Sequence, residues 1–223
     1  MKGERFSIRF ASYFITMLLI GLLLLSVLLY SNSVLTGPNL EANSSIVLSF
    51  MFPSVAISYL LIKGKNVSEI FQGFGLSRDK LTLYAIAIGI AVFFAVILFD
   101  VGVSLFSAAT NIQLPTNVQT VLAGTPAYFL IFTFLIAPIN EEIFFRGFLV
   151  PRIGIILSAI IFAILHLSYL SVSEFAAAFF FGLIAGYVYK KTKSLYPSIV
   201  AHMIVNCVTI VSLFYVSSLL IHL

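Results

Sequence analysis

A chain of 223 residues that is 61% hydrophobic and 9% charged lacks the polar surface to coat a water-soluble globule, in which roughly a quarter of residues are Asp, Glu, Lys or Arg. The formal charge of +4 and pI near 9.2 do not mark a nucleic-acid partner, because the basic residues sit in short clusters between apolar runs and serve as orientation signals. A mean hydropathy of +1.14 leaves room for about seven spans of roughly 20 residues and for one membrane-embedded domain over 1–223, with little left for a soluble one.

The first apolar run, Phe10–Tyr30, follows Lys2, Arg5 and Arg9. It exceeds the apolar core of a signal sequence and ends in no small-residue cleavage pattern, so it is expected as a retained helix. Thr36–Ser45 is rich in turn formers and reads as a loop, and Ile46–Ile62 as the second span. Val67–Lys80 mixes Ile70, Phe71, Phe74 and Leu76 with Ser, Glu, Gln and Arg; it suits an amphipathic piece on the membrane surface or a solvated loop. Leu81–Phe106 is the third span and Ser107–Thr125 a second polar loop. Pro126–Phe145, Ile153–Leu170, Phe175–Tyr189 and Ser198–Ile221 complete the set. Each is expected to be helical, because backbone groups in hydrocarbon must pair within their own segment and the runs are too long for barrel strands. The fold class is therefore all-α, a polytopic transmembrane bundle of about seven helices.

With seven spans, Lys2, Arg5, Arg9, Lys63, Lys65, Arg78, Lys80, Arg146, Arg152, Lys190, Lys191 and Lys193 all fall on one side. The positive-inside tendency makes that side cytoplasmic, with the N-terminus inside and the C-terminus outside. The protein is expected to be integral and multi-pass, in the cell membrane if its source is prokaryotic. Its single cysteine, Cys207, excludes an intrachain disulfide and is expected to pack.

Against this background the informative residues are polar groups inside spans, since a charge at bilayer depth costs roughly 2.5 kcal/mol or more on insertion scales. They are Asp100, Asn140–Glu141–Glu142 with Arg146, His166, and His202 with Asn206. Glu142 and Arg146 are four residues apart and share a helix face, in the order that favours an ion pair; a structural brace is the simplest role for them. Glu141 is turned about 100° away and must look across the bundle. Two adjacent carboxylates in a dry site suit a general base. His202 and Asn206 also share a face, and each histidine alone would be an ordinary packing residue. Two histidines and an unpartnered glutamate on three helices point to chemistry.

Depth permits them to meet: Glu141 and His202 lie roughly 16 Å and 14 Å from the basic residues Arg152 and Lys193, and His166 roughly 21 Å from Arg152, a distance that could set it one turn too deep. Pro138 removes a backbone donor just before Glu141 and is expected to kink the helix. Asp100, near the outer end of its span, is expected to be capping or hydrated. Glu174 suits a helix start, and His222 an exposed terminus.

The motifs Glu141-Glu142-Ile-Phe-Phe-Arg146, Phe162-x-x-x-His166 and His202-x-x-x-Asn206 resemble those of the CPBP family, the CAAX-processing and bacteriocin-processing intramembrane proteases. Each motif is weak alone, and the ordered set is specific. The resemblance implies a conical cavity in a helical bundle, where a water attacks a peptide bond of a membrane-associated substrate, a prenylated CAAX-type protein being one candidate. It implies Glu141 as the base, helped by His166. His202 and Asn206 would hold the water or stabilise the oxyanion, Glu142 would orient the site through Arg146, and Phe162 would shape its wall. CAAX-processing members often have an eighth helix, and this chain ends at Leu223.

Glu141, His166 and His202 are also a possible zinc ligand set with Glu142 as base. HExxH is absent, and a metal-free mechanism is favoured, with Zn2+ as the alternative cofactor. The partners expected are the lipid bilayer and a membrane-associated peptide or lipidated protein. Rival readings are a non-catalytic scaffold of the same fold and a proton-coupled transporter. The latter calls for titratable groups along a whole pathway and an internal repeat, and neither is evident.

Overall fold

The computed structural model describes residues 38–112, 114, 124–169 and 171–221. The expected span Phe10–Tyr30 and His222 lie outside the described residues. Those described are helical throughout, with no strand among them. They form α1 (Pro38–Ile62), α2 (Val67–Gly73), a 3₁₀ turn at Arg78–Lys80, α3 (Leu83–Thr110), α4 (Ala127–Leu135), α5 (Ala137–Glu142), a π-helical segment (Ile143–Leu149), α6 (Val150–Leu165), a 3₁₀ turn at His166–Tyr169, α7 (Val172–Thr192) and α8 (Tyr196–Ile221).

Four stretches among the described residues are long and apolar enough to cross a membrane: Ala42–Ile62, Leu83–Thr110, Ala127–Tyr169 and Val172–Thr192, with Tyr196–Ser212 a shorter apolar helix. Their outer faces carry large apolar side chains, among them Leu83, Leu98 and Ile131. Glu142, Arg146 and His202 are buried. Apolar outside and charged inside is the arrangement of a protein solvated by lipid, so this is an integral, multi-pass membrane protein.

Several boundaries differ from the sequence reading. Thr36–Ser45, expected as a loop, is helical from Pro38 onward, where Pro opens the helix without costing a needed donor. α3 runs past the expected end to Thr110, and Asn111 closes it in the left-handed conformation that asparagine tolerates (φ 56°). The open connection expected after Phe145 is instead helical. The chain breaks at Gly154, whose φ of 85° ends one rod and starts the next. A 43-residue run would otherwise be about twice the thickness of the hydrocarbon core.

Of the two readings of Val67–Lys80, amphipathic piece or solvated loop, the structure has the amphipathic one, a helix over Val67–Gly73 with one face buried. Asn66 and Glu69 make a complete capping box that starts α2, and Ile70 and Phe74 are buried among Tyr189, Leu195, Ile143 and Phe148. The Tyr189 hydroxyl donates to the Gly73 carbonyl at 3.2 Å and the Tyr196 hydroxyl to the Leu76 carbonyl at 3.2 Å. The connection carrying Lys63, Lys65, Arg78 and Lys80 is thereby docked on the turn carrying Lys190, Lys191 and Lys193. These basic clusters share one end of the bundle.

α6 and α7 approach closely through small residues. A Cβ on Gly182 would lie 2.8 Å from the Ala159 Cβ, and one on Gly186 would lie 2.9 Å from the Ile155 Cγ2. Gly182 and Gly186 form the small-xxx-small spacing that lets membrane helices meet backbone to backbone. Gly182→Leu is expected to destabilise the protein by about 1–3 kcal/mol through overpacking. Gly102→Leu, at a position facing open space, provides the control. Thermal unfolding in detergent micelles checks this, and equal midpoints for the two variants would refute the contact.

Candidate active site

The site is assembled where α5 ends, and a helix break sets its position. Pro138 has no N–H to continue the ladder, and α4 stops at Leu135, with Ile136 joining it to α5. Asn140, on the short α5, is buried, and its amide donates to the Ser49 hydroxyl of α1 at 3.2 Å. Glu141 and Glu142 follow as the last residues of α5. The π-helical segment then widens the turn. There Gly147 lets Phe74 approach so closely that a Cβ would lie 2.8 Å from its Cδ1, and Ser158 of α6 donates to the Phe145 carbonyl at 2.8 Å. Single π-helical turns of this sort recur at functional sites.

The two adjacent carboxylates are treated differently. Glu142 is fully buried, with its Oε1 3.0 Å from Arg146 Nη1 and 3.1 Å from His202 Nδ1. Arg146 is buried too, and its guanidinium carbon lies 4.3 Å from the ring centroid of Phe162 and 4.9 Å from that of Phe181. Two aromatic faces and a carboxylate replace the water that the cation gave up. The ion pair at i, i+4 is as the sequence reading expects. Phe162 does more than shape a wall, because it also packs against the His202 ring at 5.8 Å and the His166 ring at 4.6 Å.

Glu141 has no guanidinium partner among the described residues. Its side chain retains 20% exposure and lines a cavity of about 390 Å³ together with His166, His202 and Asn206. The four residues picked from the sequence therefore meet around one space, and His166 is not a turn too deep. His202 Nε2 lies 3.8 Å from Glu141 Oε2, too far for a direct hydrogen bond.

Both histidines use Nδ1 on a fixed neighbour: His202 on the Glu142 carboxylate at 3.1 Å, His166 on the Phe162 carbonyl at 2.9 Å. A carbonyl can only accept, so His166 Nδ1 carries the hydrogen and its Nε2 is left as an acceptor. The Asn206 amide donates to the Thr133 carbonyl of α4 at 2.9 Å. That bond fixes which end of the amide is nitrogen and leaves its second N–H for other work.

As zinc ligands, Glu141, His166 and His202 do not fit. Among the described residues no group of three or more His, Cys, Asp or Glu is gathered closely enough to hold a metal ion.

Asp100, expected to be capping or hydrated, lines the same cavity from α3. Glu174 does too, although it also sits in the first turn of α7 as expected. Phe181 was missed altogether. It is one of three consecutive phenylalanines in an apolar run, and only the fold distinguishes it from its neighbours.

Residues 123–208 match the family model described as type II CAAX prenyl endopeptidase Rce1-like. The match takes in all three motifs and agrees with the CPBP resemblance. That family implies CAAX-type intramembrane endopeptidase activity, a membrane-associated protein substrate and a bilayer setting. The comparisons with curated proteins and with solved structures gave no match.

Proposed function

We propose that the cavity hydrolyses a peptide bond of a membrane-associated protein, with Glu141 as general base. The observation carrying this reading is the division of labour between adjacent carboxylates. Glu142 is spent on Arg146 and His202, whereas Glu141 opens onto the cavity without a cationic brace.

With its Nδ1 held by Glu142, His202 turns Nε2 to the cavity, 3.8 Å from Glu141 Oε2. A water donating to both atoms fits that gap, with His166 Nε2 as a further acceptor in the same space. In the proposed reaction the water oxygen attacks the peptide carbonyl carbon as Glu141 takes its proton. The carbonyl oxygen becomes an oxyanion that the free Asn206 N–H stabilises. Collapse breaks the C–N bond, and the proton taken by Glu141, passed directly or through His202 Nε2, leaves on the amine. Only the protein's own side chains move protons in this scheme.

The test is cleavage of a farnesylated CAAX peptide, and of the same peptide unmodified, by detergent-solubilised protein and its His202→Ala variant. Cleavage by wild type that survives removal of metal by chelation and falls in the variant is expected. No cleavage of either peptide would sink the protease reading in favour of a scaffold. Activity lost on chelation and restored by zinc would overturn the metal-free scheme.

A further inference from the structure

Among the described residues, the Asp, Glu, Lys and Arg side chains lining the cavity are all acidic: Asp100, Glu141 and Glu174 line it, and no Lys or Arg does. Arg146 is committed to Glu142 and enclosed by Phe162 and Phe181. Neither Asp100 nor Glu174 has a cation within ion-pair distance among the described residues.

Glu174 also forgoes a bond that its sequence offers. Ser171-x-x-Glu174 is the pattern of a capping box, and the Ser171 hydroxyl does accept from the Glu174 N–H at 3.2 Å. The reciprocal bond, in which the Glu174 carboxylate would accept from the Ser171 N–H as Glu69 accepts from the Asn66 N–H in α2 at 3.0 Å, is not made in α7. The carboxylate instead belongs to the cavity wall. A carboxylate kept inside a membrane protein without a partner is costly, and such groups mark ligand pathways.

We propose that Asp100 and Glu174 form a specificity subsite for a basic side chain of the substrate, so that the preferred substrates carry Lys or Arg within a few residues of the scissile bond. The inference rests on the protease reading above and names the substrate class of that same cavity. Glu174 lies at the end of α7 opposite Lys190 and Lys191. A cationic side chain running from the Glu141 centre toward Glu174 therefore moves away from the basic end of the bundle and toward carboxylates that can pair with it.

The experiment compares farnesylated peptides identical except for Lys, Gln or Glu scanned across the positions flanking the cleaved bond, by binding to detergent-solubilised protein and by cleavage. Wild type is expected to bind the best-placed Lys peptide about tenfold more tightly than its Glu counterpart, the ratio that one partly buried charge pair supplies. Asp100→Asn/Glu174→Gln should collapse that ratio, and Asp100→Lys/Glu174→Lys should invert it. Because binding is read separately from turnover, a charge preference without cleavage would uphold the subsite while removing the protease reading. Equal binding of Lys and Glu peptides by wild type, or a preference unchanged in Asp100→Asn/Glu174→Gln, would overturn the proposal.

Discussion

Glu141→Gln is expected to lower kcat on a membrane-anchored peptide by about two to four orders of magnitude while leaving the thermal unfolding midpoint nearly unchanged. Glutamine keeps the shape and removes the carboxylate proposed as the base. Glu141 is braced by no guanidinium, and its side chain keeps 20% exposure to the cavity, so the change strands no buried charge. His202 retains Glu142 as its Nδ1 partner at 3.1 Å, and the Glu142–Arg146 pair is untouched. A stable protein without activity is thus the expected signature. Should Glu141→Gln cut kcat by less than about tenfold, the base would have to be sought elsewhere, with Glu142 the next carboxylate in line.

The contrast between the two glutamates was partly legible in the sequence. Spacing alone put Glu142 and Arg146 on one face and turned Glu141 away from it, and the structure keeps that geometry. Helix existence was legible for the same reason that lipid is a strict solvent: a long apolar run has no other way to satisfy its backbone. What periodicity cannot supply is partnership across sequence distance. That His202 touches Glu142 with Nδ1 while Nε2 faces Glu141 depends on how α8 rotates against α5. That Asn206 is held by Thr133 depends on a carbonyl near the helix break before Pro138.

The sequence reading gave Asp100 only a capping or hydrated role and Glu174 only a helix start, whereas the cavity extends beyond Glu141 to include both carboxylates. Pro138 was readable as a kink, and the chain does interrupt its helix there. Gly154 was not singled out, since a glycine in an apolar run is also a common packing residue. Its positive φ, available to glycine at no steric cost, is what distinguishes it.

Arg146→Ala is expected to destabilise the protein by about 3–5 kcal/mol, the usual consequence of leaving one partner of a buried ion pair unpaired. Glu142 is completely buried. Without Arg146 its remaining ionic contact is His202, and the space between Phe162 and Phe181 that the guanidinium fills would become a cavity. Arg146→Met/Glu142→Leu is expected to recover much of that loss, because replacing both members of a buried pair by apolar groups of similar volume removes the desolvation cost together with the attraction. Activity should not recover with it. His202 would lose the acceptor for its Nδ1 and with it the tautomer that presents Nε2 to the cavity. Unfolding midpoints in micelles and peptide cleavage, measured on the same preparations, separate the two roles. An Arg146→Ala protein as stable as wild type would show that the pair is no brace. A double variant that regained turnover with stability would leave Glu142 no part in orienting His202.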